Sequence, residues 1–315
     1  MLERVAKKTL LLSIIFVLLT SILFVGILSL DNKVSAEENE PEDSVTIHPE
    51  RNRGYTLTHK NTYVDGSDLN FILFYGCTFT ITESAESVTF YDCRLTNSKI
   101  TIEPRTTDLY IYFNGFYMSG YDQRTVVYNK STGGTVHFVN IGDSTVSFSA
   151  RSNTTADFTE DTGVKGAFYT KGNVSFEGNA FKIYGGDVRF GTAFGSVDFG
   201  HPGMQVVGIK HVYVNANVTI TGGDGPNGIS LGNTAYAGGH GGYAYDGALS
   251  RVHVGETGYL TLIGGVGGNG TDVESGHVPG IGGIGGLPYY LALHIDSNRY
   301  TASNGANGKK GSANL

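Results

Sequence analysis

One strand–turn–strand unit occurs five times between residues 136 and 305, and this repeat constrains the fold more than any other feature of the sequence. The first residues of the five units are 38, 38, 40 and 41 positions apart. A nearly constant period of this size is typical of repeat architectures, in which each unit buries its apolar face against its neighbours. The units read VHF-VNIGDST-VSFS from Val136, VSF-EGNA-FKIY from Val174, VYV-NAN-VTIT from Val212, VHV-GETGY-LTLI from Val252 and LHI-DSNR-YTAS from Leu293.

Apolar and polar residues alternate within each unit, as in a strand with one buried face. Val212 and Val214 are therefore predicted to face a core and Tyr213 to face outward, and the next unit repeats this pattern around His253. Copies stacked about 4.8 Å apart would form a continuous core. The sequence thus predicts an all-β, single-stranded parallel β-helix. The alternative is an antiparallel β-sandwich, which favours shorter and more regular hairpin turns than these.

The length of the period leaves two arrangements open. One period is either one coil that carries an excursion or two coils of about nineteen residues each. A further strand–turn–strand pattern at 188–200, VRF-GTAFGS-VDFG, favours two coils. No segment after residue 36 has a convincing apolar period of 3.6 residues, so almost no helix is predicted there.

Residues 55–119 also alternate like strands, and three of their segments can be superposed. FYGCTF begins at Phe74, FYDCRL at Phe90 and YFNGFY at Tyr112. If each segment lies on one coil, the rings of Tyr75, Tyr91 and Phe113 form an outward row that could serve as a binding platform for sugar rings. The alternative is that these rings cover a neighbouring coil or are partly buried. The alternation of Leu109, Ile111 and Phe113 suggests the opposite face for the third segment.

The same superposition places Cys77 and Cys93 at equivalent positions of adjacent coils. Stacking would bring their Cα atoms within disulfide range. The alternative is a pair of buried free thiols, which is common for cysteine in cores.

Histidines and acidic residues suggest two metal hypotheses. His253 and His294 stand at matching positions of two units, and His137 at the same position of the first, so that neighbouring histidines could share a metal ion. The second hypothesis is a calcium site, because oxygen-rich loops can bind calcium and three acidic residues lie in or beside glycine-rich loops. The alternative is that these acids are solvated loop residues without a ligand. These three residues are Asp224, Asp272 and Glu274. No other cofactor is predicted, because no glycine run continues into a P-loop motif.

The first 36 residues have the pattern of an export signal. Basic residues precede an uncharged run from Thr9 to Leu30, and small residues end at Ala36, where cleavage is expected. The run has 22 residues, so an uncleaved membrane anchor is the alternative. Either way residues 37–315 are predicted to lie outside the cytoplasm, with a charged linker at 37–54 and the solenoid at 55–310. A weak first strand is predicted near Val45–Ile47.

Glycine-rich runs accompany the later repeats. Between residues 222 and 311, 26 of 90 residues are glycine, with runs at 222–228, 238–242, 264–270 and 280–286. Paired glycines fit corners where the backbone needs a positive φ.

The apolar pairs, the glycine and asparagine corners and the leader resemble bacterial exported right-handed parallel β-helix surface proteins. These include pectate-lyase-like folds and non-catalytic carbohydrate-binding β-helices, and the resemblance is one of pattern over about residues 55–300. The glycine runs from 222 to 311 resemble the polyglycine-II layers of some adhesins, in which glycine at every third position lets extended chains pack side by side.

The net charge of the chain limits which classes of binding partner are expected. The formal net charge of −7 and pI of about 5.7 argue against a nucleic-acid partner. The resemblance implies a non-catalytic, secreted or cell-surface protein that binds polysaccharide, and a monomer is expected. The alternatives are a structural or adhesive surface protein with a glycine-rich packing layer, and a polysaccharide lyase or hydrolase. No catalytic residue is predicted, since Arg94, Arg189 and Arg251 cannot be placed beside an acidic cluster.

Overall fold

The computed structural model describes residues 43–67, 74–120, 125–150, 166–187, 200–231, 234–273, 278–291 and 293–312. All of them belong to one compact unit, Asp43–Leu315. The export signal at 1–36 and the pattern at 188–199 lie outside the described residues.

Three parallel sheets, here called sheets 1, 2 and 3, make up the fold of the described residues. Sheet 1 contains β1 (Ser44–Ile47), β3 (Asn61–Asp65), β6 (Ser87–Tyr91), β9 (Leu109–Asn114), β12 (Thr135–Asn140), β15 (Asn173–Gly178), β18 (His211–Asn215), β23 (Arg251–Val254) and β25 (His294–Ile295). Sheet 2 contains β4 (Phe74–Tyr75), β7 (Arg94–Thr96), β10 (Tyr117–Ser119), β13 (Val146–Ser149), β16 (Phe181–Tyr184), β19 (Asn217–Thr221), β24 (Tyr259–Ile263) and β26 (Tyr300–Ser303). Sheet 3 contains β2 (Gly54–Leu57), β5 (Thr78–Ile81), β8 (Lys99–Ile102), β11 (Val127–Asn129), β14 (Phe168–Thr170), β17 (Met204–Val206) and β22 (Tyr245–Asp246).

From β3 to β19 the chain visits the sheets in the order 1, 2, 3 and then begins the next coil. Every pairing within the three sheets is parallel, and the one antiparallel pair described is a small hairpin of β20 (Ser230–Leu231) and β21 (Thr234–Ala235). The prediction of an all-β parallel β-helix is confirmed, and the antiparallel sandwich is excluded.

The repeat register is confirmed for four of the five units. On sheet 1, Val136 pairs with Val174, Val174 with Val212, and Val212 with Val252. The fifth unit is shifted by two residues, since Val252 pairs with Ile295 rather than with Leu293.

One period is one coil, so the prediction of two coils per period is wrong. Successive inward residues of sheet 1, Phe138, Phe176 and Val214, are direct neighbours although 38 residues separate each pair. Earlier coils are shorter, because Phe113 follows its partner Phe90 by only 23 residues. The extra residues of the later coils lie, along the chain, between a strand of sheet 2 and a strand of sheet 3.

The interior of the coils is filled by aromatic and aliphatic side chains. Phe113 stacks on Phe90 with ring centroids 5.7 Å apart and planes 8° apart, and Phe138 continues the stack at 6.2 Å. These rings are completely buried. Parallel strands place equivalent side chains above one another, so inward positions of successive coils form continuous stacks.

The β-helix begins before residue 55, within the predicted linker. β1 pairs with β3 along its four residues, from Ser44 with Asn61 to Ile47 with Val64. The weak strand expected near Val45–Ile47 is therefore the first strand of sheet 1.

The glycine-rich excursions form a second, different structure, here called the glycine bundle (222–228, 236–243, 264–271, 280–287 and 305–311). Its segments join through backbone hydrogen bonds in rows three residues apart. In one row the N–H groups of Gly242, Gly265, Gly286 and Gly305 donate to the carbonyls of Gly223, Gly242, Gly265 and Gly286, at 2.7–2.9 Å. In the next row Gly239, Gly268, Gly283 and Gly308 donate to Pro226, Gly239, Gly268 and Gly283, at 2.7–2.8 Å.

Segments joined by these two rows run in opposite directions, because residue numbers rise along one segment and fall along the next. Other neighbours in the bundle run in the same direction, because a second set of bonds joins Gly222 to Ile263, Gly225 to Val266 and Gly228 to Asn269. A Cβ atom on Gly268 would overlap the carbonyl oxygen of Pro226. This close approach of backbones requires glycine, and the three-residue period is the one that the resemblance to polyglycine-II layers implies.

Candidate functional site

The predicted aromatic row of Tyr75, Tyr91 and Phe113 does not exist. Tyr75 lies in sheet 2, where it pairs with Thr96, whereas Tyr91 and Phe113 lie in sheet 1. Tyr91 is 48% exposed, but Phe113 is fully buried in the core. The superposition failed because FYGCTF spans the corner from sheet 2 to sheet 3, while FYDCRL spans the corner from sheet 1 to sheet 2.

The same difference separates the two cysteines. Cys77 is level with Ser98 of the next coil, whose hydroxyl accepts its N–H at 3.1 Å, and not with Cys93. Both are buried free thiols, so the register argument for a disulfide is wrong and the alternative of buried core thiols is the structure observed. Burial raises the pKa of both thiols, and that of Cys93 reaches about 12.

The acids of the calcium hypothesis act on the backbone of neighbouring segments. Asp224 Oδ1 accepts the N–H of Val266 at 2.7 Å, and Asp272 Oδ1 accepts the N–H of Ser312 at 2.6 Å. Burial raises the pKa of Asp224, which disfavours the ionised form that calcium needs. The bonds from Ser312 lower the pKa of Asp272. Glu274 lies outside the described residues.

His137, His211 and His253 make hydrogen bonds on the outer face of sheet 1. His253 Nε2 is 2.8 Å from His211 Nδ1, and its Nδ1 bonds to Asp296. His294 is level with Arg251, two residues away from the match with His253 that the metal hypothesis assumed. Within the described residues no group of three or more histidine, cysteine or acidic side chains could hold a metal ion.

An outward column of sheet 1 carries stacked rings. Its members, from the N-terminal coil onward, are Asn61, Ser87, Tyr110, His137, Ser175, Tyr213 and His253. Tyr110 stacks on His137 with centroids 4.4 Å apart and planes 11° apart, and Tyr213 stacks on His253 at 5.1 Å and 20°. Rings stacked along the column present their edges to solvent, so an open ring face remains only where the column reaches a small residue.

Tyr110 has such a face, because the next residue toward the N-terminal coil is Ser87. The Ser87 side chain, whose hydroxyl donates to Asn61 Oδ1 at 2.8 Å, is too small to cover the ring. On its own strand Tyr110 contacts Tyr112, with ring centroids 6.3 Å apart and planes 15° apart. This space belongs to a groove of about 630 Å³, which is the candidate site. Its lining residues are Asn61, Glu83, Glu86, Ser87, Thr107, Asp108, Tyr110 and Tyr112.

The groove is acidic. Glu83, Glu86 and Asp108 are exposed on its sides. Glu83 accepts a hydrogen bond from the Thr106 hydroxyl at 3.2 Å, and Asp108 accepts the N–H of Thr135 at 2.7 Å. Within the described residues the Glu86 carboxylate makes no hydrogen bond or ion pair. The lining residues include no lysine or arginine.

Arg105 holds the two loops that carry these acids. The side chain is 2% exposed and lies behind the lining residues. Its Nη2 donates to the Ala85 carbonyl at 2.7 Å, between Glu83 and Glu86, and to the Asp108 carbonyl at 3.0 Å. The guanidinium therefore joins the corner loops of two successive coils and positions the side of the groove.

The sequence interpretation missed this groove, but one signal for it was present. LYI at 109–111 has the same pattern as VHF at 136–138 and pairs with it in register. Extending the repeat one coil upstream would have placed Tyr110 in the outward column of His137. The approach of Glu83, Glu86 and Asp108 has no such signal, because it depends on the paths of two corner loops.

The comparisons with known proteins add no assignment. No protein-family model, curated protein or solved structure matches this chain. Within the described part of the chain there is no apolar helix of membrane-spanning length.

Proposed function

We propose that this chain is a non-catalytic, secreted or cell-surface β-helix that binds polysaccharide in the groove beside Tyr110. The observation that carries the proposal is the uncovered face of the Tyr110 ring. Strands of the sheet are about 4.8 Å apart, and His137 already stacks on the opposite face at 4.4 Å. A flat sugar ring at the level of Ser87 would contact Tyr110 in the same way, through its C–H groups.

Polar groups around this face suit sugar hydroxyls. Asn61 and Thr107 line the groove with donors and acceptors, and the three carboxylates accept hydrogen bonds. Sites that combine an apolar wall with a few convergent polar groups are typical of small-ligand binding. The rigid coils on both sides hold the wall in place without a ligand.

The test is a titration of soluble polysaccharides and oligosaccharides of differing composition into the protein, followed by calorimetry. Tyr110→Ala should weaken binding about tenfold or more, the effect of losing one well-packed aromatic contact. Ser87→Tyr should block binding too, because the new ring would occupy the level of the sugar. Tyr213→Ala is the matched control and should leave binding unchanged. Tyr213 lies in the same column, but the serine beside it, Ser175, is buried and neither residue lines the groove.

Absence of binding to every polysaccharide would end this proposal. Release of reducing ends or of unsaturated products would instead favour the alternative of a hydrolase or lyase.

A second candidate function is a structural or adhesive surface protein, favoured by a line of apolar side chains at the glycine bundle. Val278, Ile281, Ile284 and Leu287 are 82%, 64%, 61% and 48% exposed. Their spacing of three residues matches the period of the bundle. If the line mediates adhesion, Ile281→Ser with Ile284→Ser should reduce retention on an alkyl-coated surface, and Tyr110→Ala should not.

A further inference from the structure

We propose that the groove selects polysaccharides that carry free amino groups, and that Glu83, Glu86 and Asp108 recognise the ammonium groups. This inference rests on the proposed function and names the ligand class of the same site. It depends on two observations together: the open face of Tyr110, which suits a sugar ring, and the sign of the charges around it.

The charge around the groove is negative on every side that faces it. The corner loop before β6 contributes Glu83 and Glu86, and the corner loop before β9 contributes Asp108. Two of these carboxylates each have one oxygen engaged by a neutral donor within the chain, Thr106 for Glu83 and the Thr135 N–H for Asp108. The Glu86 carboxylate makes no hydrogen bond within the described residues, so it is free to accept from a ligand.

The nearby cations do not reverse this sign. Lys60 pairs with Asp43 at 3.2 Å and also interacts electrostatically with Glu86. The charge of the buried Arg105 acts on all three acids of the groove, but its N–H groups donate to backbone carbonyls and to the Thr107 hydroxyl, so the three carboxylates remain in excess. His137 approaches Asp108 at 3.9 Å, but its Nδ1 is only 2.6 Å from Glu177, a further acid. An anionic sugar such as a uronic acid would therefore meet carboxylates in the groove, and like charges at close range oppose binding.

An amino sugar fits both observations. Its ring can lie on Tyr110 at the level of Ser87, and an ammonium on the ring edge can donate three hydrogen bonds to carboxylates at the sides of the groove. A polycationic peptide would satisfy the charges but not the flat contact with the ring. The ring contact and the charges must therefore be tested together.

The experiment measures affinity for three probes of equal length: a β-1,4-linked glucosamine hexamer, its fully N-acetylated form and a lysine hexapeptide. The wild-type protein should bind the glucosamine hexamer about tenfold or more tighter than the N-acetylated form, and added salt should reduce this preference. Glu83→Gln with Glu86→Gln should remove the preference. Tyr110→Ala should weaken both sugars and leave the lysine peptide unaffected.

The matched control has the same change of charge outside the groove. Asp143 and Glu256 are exposed acids on turns between strands of sheets 1 and 2, and neither lines the groove. Asp143→Asn with Glu256→Gln should keep the preference for the glucosamine hexamer. If this control loses the preference as fully as the groove variant does, the effect is one of net charge and the inference is wrong.

The outcomes separate this inference from the proposed function. Equal, Tyr110-dependent binding of both sugars would overturn the amino-group selectivity and leave polysaccharide binding intact. Lysine peptide binding as tight as that of the glucosamine hexamer, and independent of Tyr110, would show a general attraction for polycations and overturn the inference. No binding of any sugar would remove the proposed function itself.

Discussion

The N-terminal coils and the glycine bundle bring extended chains together in two different ways. In the coils, parallel strands pair edge to edge and point alternate side chains into an aromatic core, as Phe90 and Phe113 do. In the bundle, rows of hydrogen bonds three residues apart join backbones so closely that no side chain fits between Gly268 and Pro226. The comparison shows that the same chain changes from stability based on buried side chains to stability based on backbone packing.

The largest effect should come from breaking the side-chain core. Phe113→Ala leaves a cavity between Phe90 and Phe138, and a buried aromatic truncation of this kind costs about 3–5 kcal/mol. Urea unfolding measures the loss. Tyr91→Ala, in the same corner but 48% exposed, should change stability by less than about 0.5 kcal/mol. Similar losses for the two variants would contradict the assignment of Phe113 to the core.

The second largest effect should come from alkaline pH, which lowers the free energy of unfolding. Burial raises the pKa of the Cys93 thiol from its ordinary 9.0 to about 12. A raised pKa in the folded state stabilises the protein below pH 9, and this contribution decreases as the pH rises from 9 to 12. The loss is about 1.4 kcal/mol per pH unit. Wild type should therefore lose stability faster than Cys93→Ala between pH 9 and 10.5, and parallel pH profiles would contradict the buried, protonated thiol.

A smaller and more local effect is expected from the backbone packing. Gly268→Ala forces a Cβ against the carbonyl oxygen of Pro226 and should cost about 1–3 kcal/mol, the usual effect of overpacking. Hydrogen exchange should speed up at the amides of Gly239 and Gly283 but not at Val136. Val266→Ala, two residues earlier at an outward position of the same run, should leave all exchange rates unchanged. Faster exchange at Val136 in Gly268→Ala would show that bundle and coils unfold together.

The smallest effect on stability should come from the candidate site. Tyr110 is 38% exposed but stacks on His137, so Tyr110→Ala should shift the urea midpoint by an amount equivalent to less than about 1 kcal/mol while it weakens sugar binding about tenfold or more. A large loss of stability would mean that the ring supports the coil instead of serving as a free binding surface.

Much of the solenoid follows from local pattern. The 38-residue spacing of Val136, Val174 and Val212 and the alternation around them were sufficient to predict which residues stack and which face outward. The reason is that strand alternation has a fixed period of two residues, and equivalent positions of successive copies must lie in register once one face is buried.

The N-terminal coils show where such reasoning failed. FYGCTF and FYDCRL look alike but lie at different corners, so Cys77 and Cys93 are not neighbours. Left-handed backbone occurs at both corners, at Gly76 (φ 74°) between sheets 2 and 3 and at Asp92 (φ 47°) and Gly115 (φ 71°) between sheets 1 and 2, so it does not distinguish them. Corner geometry of this kind depends on pairing with the previous coil, and short irregular coils provide no constant spacing to reveal it.

The amino-acid sequence determined the parallel coil, the inward and outward faces of its regular repeats and the regions rich in glycine, because these depend on periods of two and three residues within the chain. The tertiary structure decided that one period makes one coil, that Phe113 is buried and that Glu83, Glu86 and Asp108 converge on the open face of Tyr110. These features join residues of successive coils, and their positions depend on how many residues each corner takes to close. Packing and hydrogen bonding between coils set that number, and the periodicity of residues along the chain does not predict it.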